Sequence, residues 1–191
     1  MENNTGRDEI TFDMMKMEET IHFICSTCKP EDRLGAVKLN KILYYSDMTS
    51  FAETGKSITG ATYAKRQNGP VPKQVTEAID NLRRAGRLET RNVSVFEHVR
   101  RQFDARGATD VSIFHADEIA RVGDMITAVC EHTANEISEI SHTLVWRVAD
   151  MGEDLPYESY FVSYLDDLTT EDQTVVAGAL ARAKENGRIY A

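Results

Sequence analysis

The chain has 191 residues, of which 41% are hydrophobic and 28% are charged, and its formal net charge is −9. This composition is typical of a soluble globular domain, and it includes no apolar run of membrane-spanning length. The first 13 residues are too polar for a secretory signal. We therefore expect a cytoplasmic protein without a membrane partner.

The charges are distributed unevenly along the chain. Residues 33–106 contain 14 Lys and Arg against 7 Asp and Glu, whereas the segments on both sides are acidic. A basic surface could attract an acidic protein or a phosphate backbone. The simpler interpretation, which we prefer, is that the basic middle packs against the acidic flanks within one domain.

Two helices are predicted in the N-terminal third. Apolar residues at spacings of three and four predict a helix from Asp13, which Pro30 ends. A second helix is predicted over Leu34–Thr54, followed by Gly55 in a left-handed conformation. Because its apolar residues form two stripes, we expect this second helix to be buried on two sides and central.

The stretch "YAKRQNGPVPKQV", residues 63–75, contains two of the four prolines of the chain. Thr62–Gln67 predicts a short extended segment, and Pro70 keeps the residue before it out of helical geometry. Pro72 suits the first position of a helix over residues 72–85, where its missing N–H is not needed. This corner is therefore predicted to be a rigid entry into a helix.

The rest of the chain mixes a short β region with helices. Alternating apolar residues over 87–103 predict a β-hairpin, and Val111–Phe114 predicts another short strand. Helical stripes and capping boxes then predict three helices: Ile119–Val129, one from Thr133 through Leu144, and one from Thr170.

These elements predict a predominantly α protein of the α+β class. We expect a single helical domain over residues 13–191 with a small antiparallel sheet or hairpin, preceded by a flexible N-terminus over residues 1–12.

The cysteines raise the question of a metal site. Cys25 and Cys28 have the spacing of a redox or metal-binding pair but lie within a predicted helix, with Cys28 on its apolar face. Cys130 and His132 could complete a four-ligand zinc site. We prefer buried structural thiols, so we expect no metal and no cofactor. Since no nucleophile–base set and no phosphate-binding glycine loop can be identified, we expect a protein that is not an enzyme.

Lys41 falls within an apolar stripe of the second predicted helix, where a neutral side chain is expected. Its stem could pack against the core while its ammonium group reaches water. Alternatively, Lys41 lies beside Tyr44 and Tyr45 to bind a carboxylate of a partner protein. Asp47 is a candidate for its local ion-pair partner.

His142 and Trp146, the only tryptophan, are four residues apart and are predicted to share one face of a helix. Such a pair is most often part of a core. On an accessible surface, the tryptophan would instead be an interface hot spot.

The predicted helix over 72–85 and the hairpin after it have the shape of a recognition helix and wing. Six arginines would then contact phosphates: Arg83, Arg84, Arg87, Arg91, Arg100 and Arg101. Few side chains of this helix could read bases, Lys73 and Gln74 being the best. A winged-helix-like DNA-binding regulator is therefore the alternative function, and DNA is the less favoured partner.

Several motifs occur together in a recognisable order: "VKLNKILYYSDM" (37–48), "GKSITGATYAKRQNGPVPKQV" (55–75), and then Ser141, His142 and Trp146. This set resembles the Panacea domain, the SocA-like antitoxin family. The resemblance covers residues 34–146, and a helical part over 147–191 follows it. The segment from His142 to Trp146 departs from the family pattern, since it lacks the acidic and small residues often found there.

The resemblance implies a mostly helical antitoxin that binds and neutralises a cognate toxin encoded beside it. Some members resemble adaptors that deliver the toxin to a cytoplasmic AAA+ protease, which would be a second partner. From the resemblance and the chemistry of the side chains, we predict the following partner-binding residues: Lys41, Tyr44, Tyr45, Asp47, Tyr63, Asn68, Gly69, Pro70, Pro72, His142 and Trp146.

Overall fold

The computed structural model describes residues 10–95 and 98–163. Its helices are α1 (Met14–Thr27), α2 (Ala36–Thr54), α3 (Val75–Arg84), α4 (Ala116–Cys130), α5 (Ala134–Ile140), α6 (Leu144–Val148) and α7 (Ser159–Ser163). Its strands are β1 (Tyr63–Arg66), β2 (Gly69–Pro72), β3 (Leu88–Val95), β4 (His98–Ala105) and β5 (Asp154–Leu155). The predicted class, predominantly α with small antiparallel sheets, is confirmed for these residues.

Local signals set the ends of α1 and α2. The side chain of Asp13 accepts a hydrogen bond from the backbone N–H of Lys16 at 3.0 Å and so caps α1. A 3₁₀ turn over Pro30–Asp32 separates the two helices. Gly55 follows α2 with a φ of 76°, the left-handed conformation predicted for it.

The second helix, α2, is the central element of the fold. It packs against α1, α4, α5 and strand β2. Leu39, Ile42 and Met48 are almost completely buried along it. A helix with neighbours on several sides needs apolar residues on more than one face, and the predicted central position is confirmed.

The corner is a β-hairpin, which corrects the predicted helix entry. Strand β1 lies in the middle of a three-stranded antiparallel sheet, with β2 on one side and β5 on the other. Pro72 pairs with Tyr63 as the last residue of β2, and α3 begins only at Val75. The φ of proline is compatible with an extended strand as well as with a helix start, and pairing with β1 decides between them.

Strands β3 and β4 form the predicted second hairpin, paired from Leu88 opposite Ala105 onward. At its base Leu88 and Phe103 are buried, whereas Val99 is 71% exposed near the far end. The predicted strand at Val111–Phe114 is wrong. A 3₁₀ turn forms there instead, because the side chain of Asp110 accepts a hydrogen bond from the backbone of Ser112.

The predicted helix α4 is present, and the capping box between Thr133 and Glu136 begins α5 as predicted. However, α5 ends at Ile140 instead of continuing through Leu144. The side chain of Thr143 caps a separate helix, α6, so that a break falls between the two. The predicted helix from Thr170 lies outside the described residues.

Ion pairs join the basic middle of the chain to its acidic flanks. Arg87 is paired with Glu19, and the Lys73 ammonium nitrogen lies 2.5 Å from the Asp154 carboxylate. Burial and the hydrogen bond from Arg87 act in opposite directions on the pKa of Glu19, and the hydrogen bond is stronger, so this pKa is lowered. Such pairs support packing of the charged segments against each other within one domain.

No helix among residues 10–95 and 98–163 combines the length and the hydrophobicity that a membrane span requires.

Candidate functional site

Helix α2 places Asp47 in the interior beside the loop that precedes β1. Its carboxylate, which is fully buried, accepts backbone hydrogen bonds from Ile58 and Thr59 at 2.9 and 2.8 Å. The hydroxyls of Thr59 and Tyr63 also donate to it, at 2.5 and 2.8 Å. A more distant donor is the Tyr157 hydroxyl, at 3.4 Å. This carboxylate therefore ties α2 to the loop, to β1 and to the segment after β5.

Burial raises the pKa of Asp47, and the hydrogen bonds from Thr59 and Tyr63 act in the opposite direction. Burial beside this carboxyl also raises the pKa of Tyr63 well above its usual value. This tyrosine therefore stays protonated and acts as a hydrogen-bond donor to Asp47. The cluster holds a buried polar group by matching donors to acceptors, which is the requirement for burying one at low cost.

Lys41 is also buried, with only 1% of its surface exposed. Its ammonium nitrogen donates to the backbone oxygen of Pro70 at 3.0 Å. Burial lowers the pKa of Lys41 to about 7. The side chain neither reaches water nor pairs with Asp47, which corrects the expected exposed ammonium group and the expected local ion pair. It fastens the β1–β2 hairpin to α2.

Gly69 allows this close approach. Its φ is 93°, and a Cβ built on it would collide with the Lys41 ammonium group and with the Ser141 hydroxyl. Ser141 is buried and donates to the backbone oxygen of Ser138 at 2.6 Å. Only a glycine leaves room for both side chains above this backbone position.

Next to these buried residues lies an accessible patch around Trp146. The His142 ring stacks on the indole with 3.6 Å between centroids and an interplanar angle of 10°. The Lys65 ammonium nitrogen lies 4.4 Å from the centroid of the indole ring, and the indole N–H donates to the backbone oxygen of Arg66 at 3.2 Å. These contacts hold the tryptophan in one orientation. Together with the exposed Asn68 of the turn, we call these residues the corner surface: Lys65, Arg66, Asn68, His142 and Trp146.

His142 reaches this stack from a different position than predicted. It lies in the break between α5 and α6, not on the helix that carries Trp146. Burial lowers the pKa of His142 and favours the neutral ring. A neutral imidazole stacks on the indole without the cost of desolvating a charge.

A family model described as antitoxin SocA-like, Panacea domain, matches residues 39–147, more than half of the chain. The chain belongs to this family. The matched range includes the Asp47 cluster apart from Tyr157, together with the hairpin, the Lys41 contact and the corner surface. No curated protein and no solved structure matches the chain.

Within this Panacea domain, the eleven residues predicted to bind a partner fall into two groups. Seven are buried and form the frame: Lys41, Tyr44, Asp47, Tyr63, Gly69, Pro70 and Pro72. Four are half-buried or exposed: Tyr45, Asn68, His142 and Trp146. The ring of Tyr44 lies between these groups, with Tyr45 and Tyr63 both in edge contact with it at about 5 Å. The frame thus shapes the surface, and the accessible residues are the ones a partner can touch.

Several residues of the site were not among those predicted from the sequence, and Arg66 and Ser141 are two of them. Thr59 belongs to the Ile-Thr-Gly motif, which was a usable signal for it. Lys65 stood within the quoted corner, but its contact with Trp146 depends on long-range packing. Tyr157 lies beyond the family match and joins the Asp47 cluster only because β5 pairs with β1.

The cysteines are only partly where the sequence placed them. Cys25 is buried, and burial raises the pKa of its thiol to about 12. Cys28 and Cys130 are half-buried and come together beside Asp32. His132 is not part of this group within the described residues.

The arginines that a winged-helix protein would offer to DNA are largely engaged by other residues of the same chain. Arg87 pairs with Glu19, and Arg91 with Asp104 at 3.1 Å. On α3, Arg83 pairs with Asp80, and Arg84 donates to Asn81. This arrangement favours a solvated helix and hairpin over a phosphate-binding face.

Proposed function

We propose that the protein is the antitoxin of a toxin–antitoxin pair and neutralises its cognate toxin by direct binding. The observation that carries this proposal is the family match over residues 39–147, which includes every partner-binding residue predicted from the sequence. The proposal needs no catalytic step, and a cytoplasmic setting is part of it.

The corner surface is the part of the domain that we propose to contact the toxin. It contains the only tryptophan of the chain, held by His142 and Lys65. Tryptophan and arginine are enriched among residues that dominate interface energetics. Because the frame fixes this surface before a partner arrives, little further ordering entropy is lost on docking.

Co-expression with the product of the neighbouring gene tests the proposal. We expect that product to stop growth when expressed alone, the present protein to restore growth, and the two proteins to co-purify. If the neighbouring product is harmless alone, or if no partner co-purifies during rescue, the proposal is contradicted.

Two variants locate the contact. Trp146→Ala should weaken toxin binding by about 30-fold, which corresponds to a hot spot of about 2 kcal/mol. Asn68→Arg should block binding by adding bulk and charge to an exposed turn. Asn92→Arg places the same change on an exposed position of the β3–β4 hairpin and should leave binding unchanged. Each variant must keep the melting curve of the parent protein.

The half-life of the toxin separates two modes of neutralisation. Simple blocking leaves that half-life unchanged or longer, whereas delivery to an AAA+ protease shortens it. We propose direct binding of the toxin as the first step common to both modes. Protease delivery remains a prediction from the family resemblance, read out by comparing toxin turnover with and without the protease.

A further inference from the structure

Two segments that are about 100 residues apart in sequence meet at the C-terminal end of α1. Cys28 directly follows this helix, Asp32 ends the 3₁₀ turn, and Cys130 is the last residue of α4. The sulfur atoms of both cysteines and a carboxylate oxygen of Asp32 all lie within 4.8 Å of one another. Two sulfur atoms bound to one tetrahedral zinc ion are about 3.8 Å apart, so only small side-chain adjustments separate this group from a metal site.

The charges around the group fit a divalent cation. Two thiolates and one carboxylate carry three negative charges, and a divalent cation would leave one. Lys38, which is buried, donates to the backbone oxygens of Asp32 at 2.7 Å and Cys130 at 3.4 Å. Its ammonium group thus lies where it can neutralise the remaining charge and also joins the two segments that supply the ligands.

The ligand atoms of Cys28, Asp32 and Cys130 lie so close together that three negative charges on them would repel one another without a cation. A bound metal ion removes this conflict, because it stabilises thiolates directly. Each thiol would release its proton to solvent as its sulfur–metal bond forms.

We propose that Cys28, Asp32 and Cys130 bind one Zn²⁺ ion. Two thiolates favour zinc over the hard cations Mg²⁺ and Ca²⁺, and a carboxylate oxygen is an ordinary third ligand for zinc. Water fills the fourth position. Cys28 also lines a groove of about 720 Å³ beside the β3–β4 hairpin, which gives the ion a path from solvent. The bound ion links the end of α1 to the end of α4.

Cobalt titration of the full chain, stripped of metal and kept reduced, tests the site. We expect one equivalent of Co²⁺ to produce the near-ultraviolet charge-transfer band of cobalt–thiolate bonds, and one equivalent of Zn²⁺ to abolish it. This measurement on the unaltered protein requires no variant to fold. Absence of the band overturns the proposal.

Cysteine variants then identify the ligands. Cys28→Ala and Cys130→Ala should each lose the band, whereas Cys25→Ala, a matched change of a nearby buried thiol, should retain it. Chelation should lower the melting temperature of the parent and of the Cys25→Ala variant but not that of Cys28→Ala. If Cys25→Ala also loses the band, or if Cys28→Ala retains it, the assignment of the ligands is refuted.

Discussion

Lys41 and Asp47 lie six residues apart on α2, and both are buried, yet the fold satisfies them differently. Asp47 accepts several hydrogen bonds from backbone and hydroxyl donors. Lys41 donates to one backbone oxygen, that of Pro70. A carboxylate with many donors holds several segments together, whereas an amine with one acceptor and a lowered pKa remains poised between its charged and neutral forms.

The depressed pKa of Lys41 predicts a particular dependence of stability on pH. The pKa of Lys41 is about 7 in the folded protein and 10.5 in the unfolded chain. Between these values the unfolded chain binds more protons, so the free energy of unfolding should rise with pH across this window. Lys41→Met should remove this contribution. The stability difference between parent and variant should change by up to about 1.4 kcal/mol per pH unit.

Urea unfolding of both proteins, in steps across the window, measures this difference. Groups other than Lys41 titrate in both proteins and cancel in the comparison. Parallel curves for parent and variant would show that the pKa of Lys41 is not lowered in the folded protein.

At the scale of elements, the β1–β2 hairpin fits against α2 only because position 69 lacks a side chain. Gly69→Ala should destabilise the protein by about 3 kcal/mol or more, because a left-handed φ and a collision with Lys41 and Ser141 act together. Gly55→Ala is the matched control. Its φ is also positive, but its Cβ would meet no atom within 4 Å, so about 1–2 kcal/mol is expected.

The denaturant midpoints of these two variants compare their losses of stability, provided that the free energy of unfolding depends equally steeply on denaturant in both. Equal losses for Gly69→Ala and Gly55→Ala would contradict the close packing of the hairpin against α2.

The elements that could be predicted from sequence are those with local signals. Asp13 begins α1, Gly55 follows α2, and Thr133 with Glu136 begins α5, each through contacts within a few residues. The corner was predicted to enter a helix because proline suits both a helix start and an edge strand, and only the pairing of β2 with β1 distinguishes them. The break before α6 depends on Thr143, whose side chain caps a new helix. The apolar spacing alone does not show that a second helix begins there.

The candidate site, like the fold, was predicted only in part from the sequence. The residues of the corner and the His142–Trp146 pair were identified as a group, and the structure brings most of them together. Their division into buried frame and accessible surface was not predictable, because it depends on which face of α2 meets the sheet. The surroundings of Lys41 were misinterpreted for the same reason. Its hydrogen-bond acceptor is the backbone oxygen of Pro70, and a backbone acceptor cannot be identified from side chains in the sequence.

For the molecule as a whole, internal pairing of charges limits what the basic segment offers to other molecules. Acidic residues of the same chain bind Arg83 of α3, Arg87 between α3 and β3, and Arg91 of β3. We therefore expect only weak, sequence-independent binding to DNA that disappears as salt is raised. Fluorescence anisotropy with a duplex from the protein's own promoter and a scrambled duplex should give equal affinities. A salt-resistant footprint on the promoter alone would instead support a DNA-binding regulator.

The two prolines of β2 also determine how the edge of the sheet can be used. The backbone N–H of Lys73 donates to the backbone oxygen of Thr62. In an antiparallel pair every second residue points its N–H toward the neighbouring strand, so the N–H groups at positions 70 and 72 would point away from β1. Both are prolines, and the outward oxygen of Pro70 is occupied by Lys41. This edge can therefore lie against α2 without an unsatisfied backbone donor, and it offers no template for an added strand. A partner that docks at β2 must therefore recognise side chains and the turn, because β-strand addition is closed at this edge.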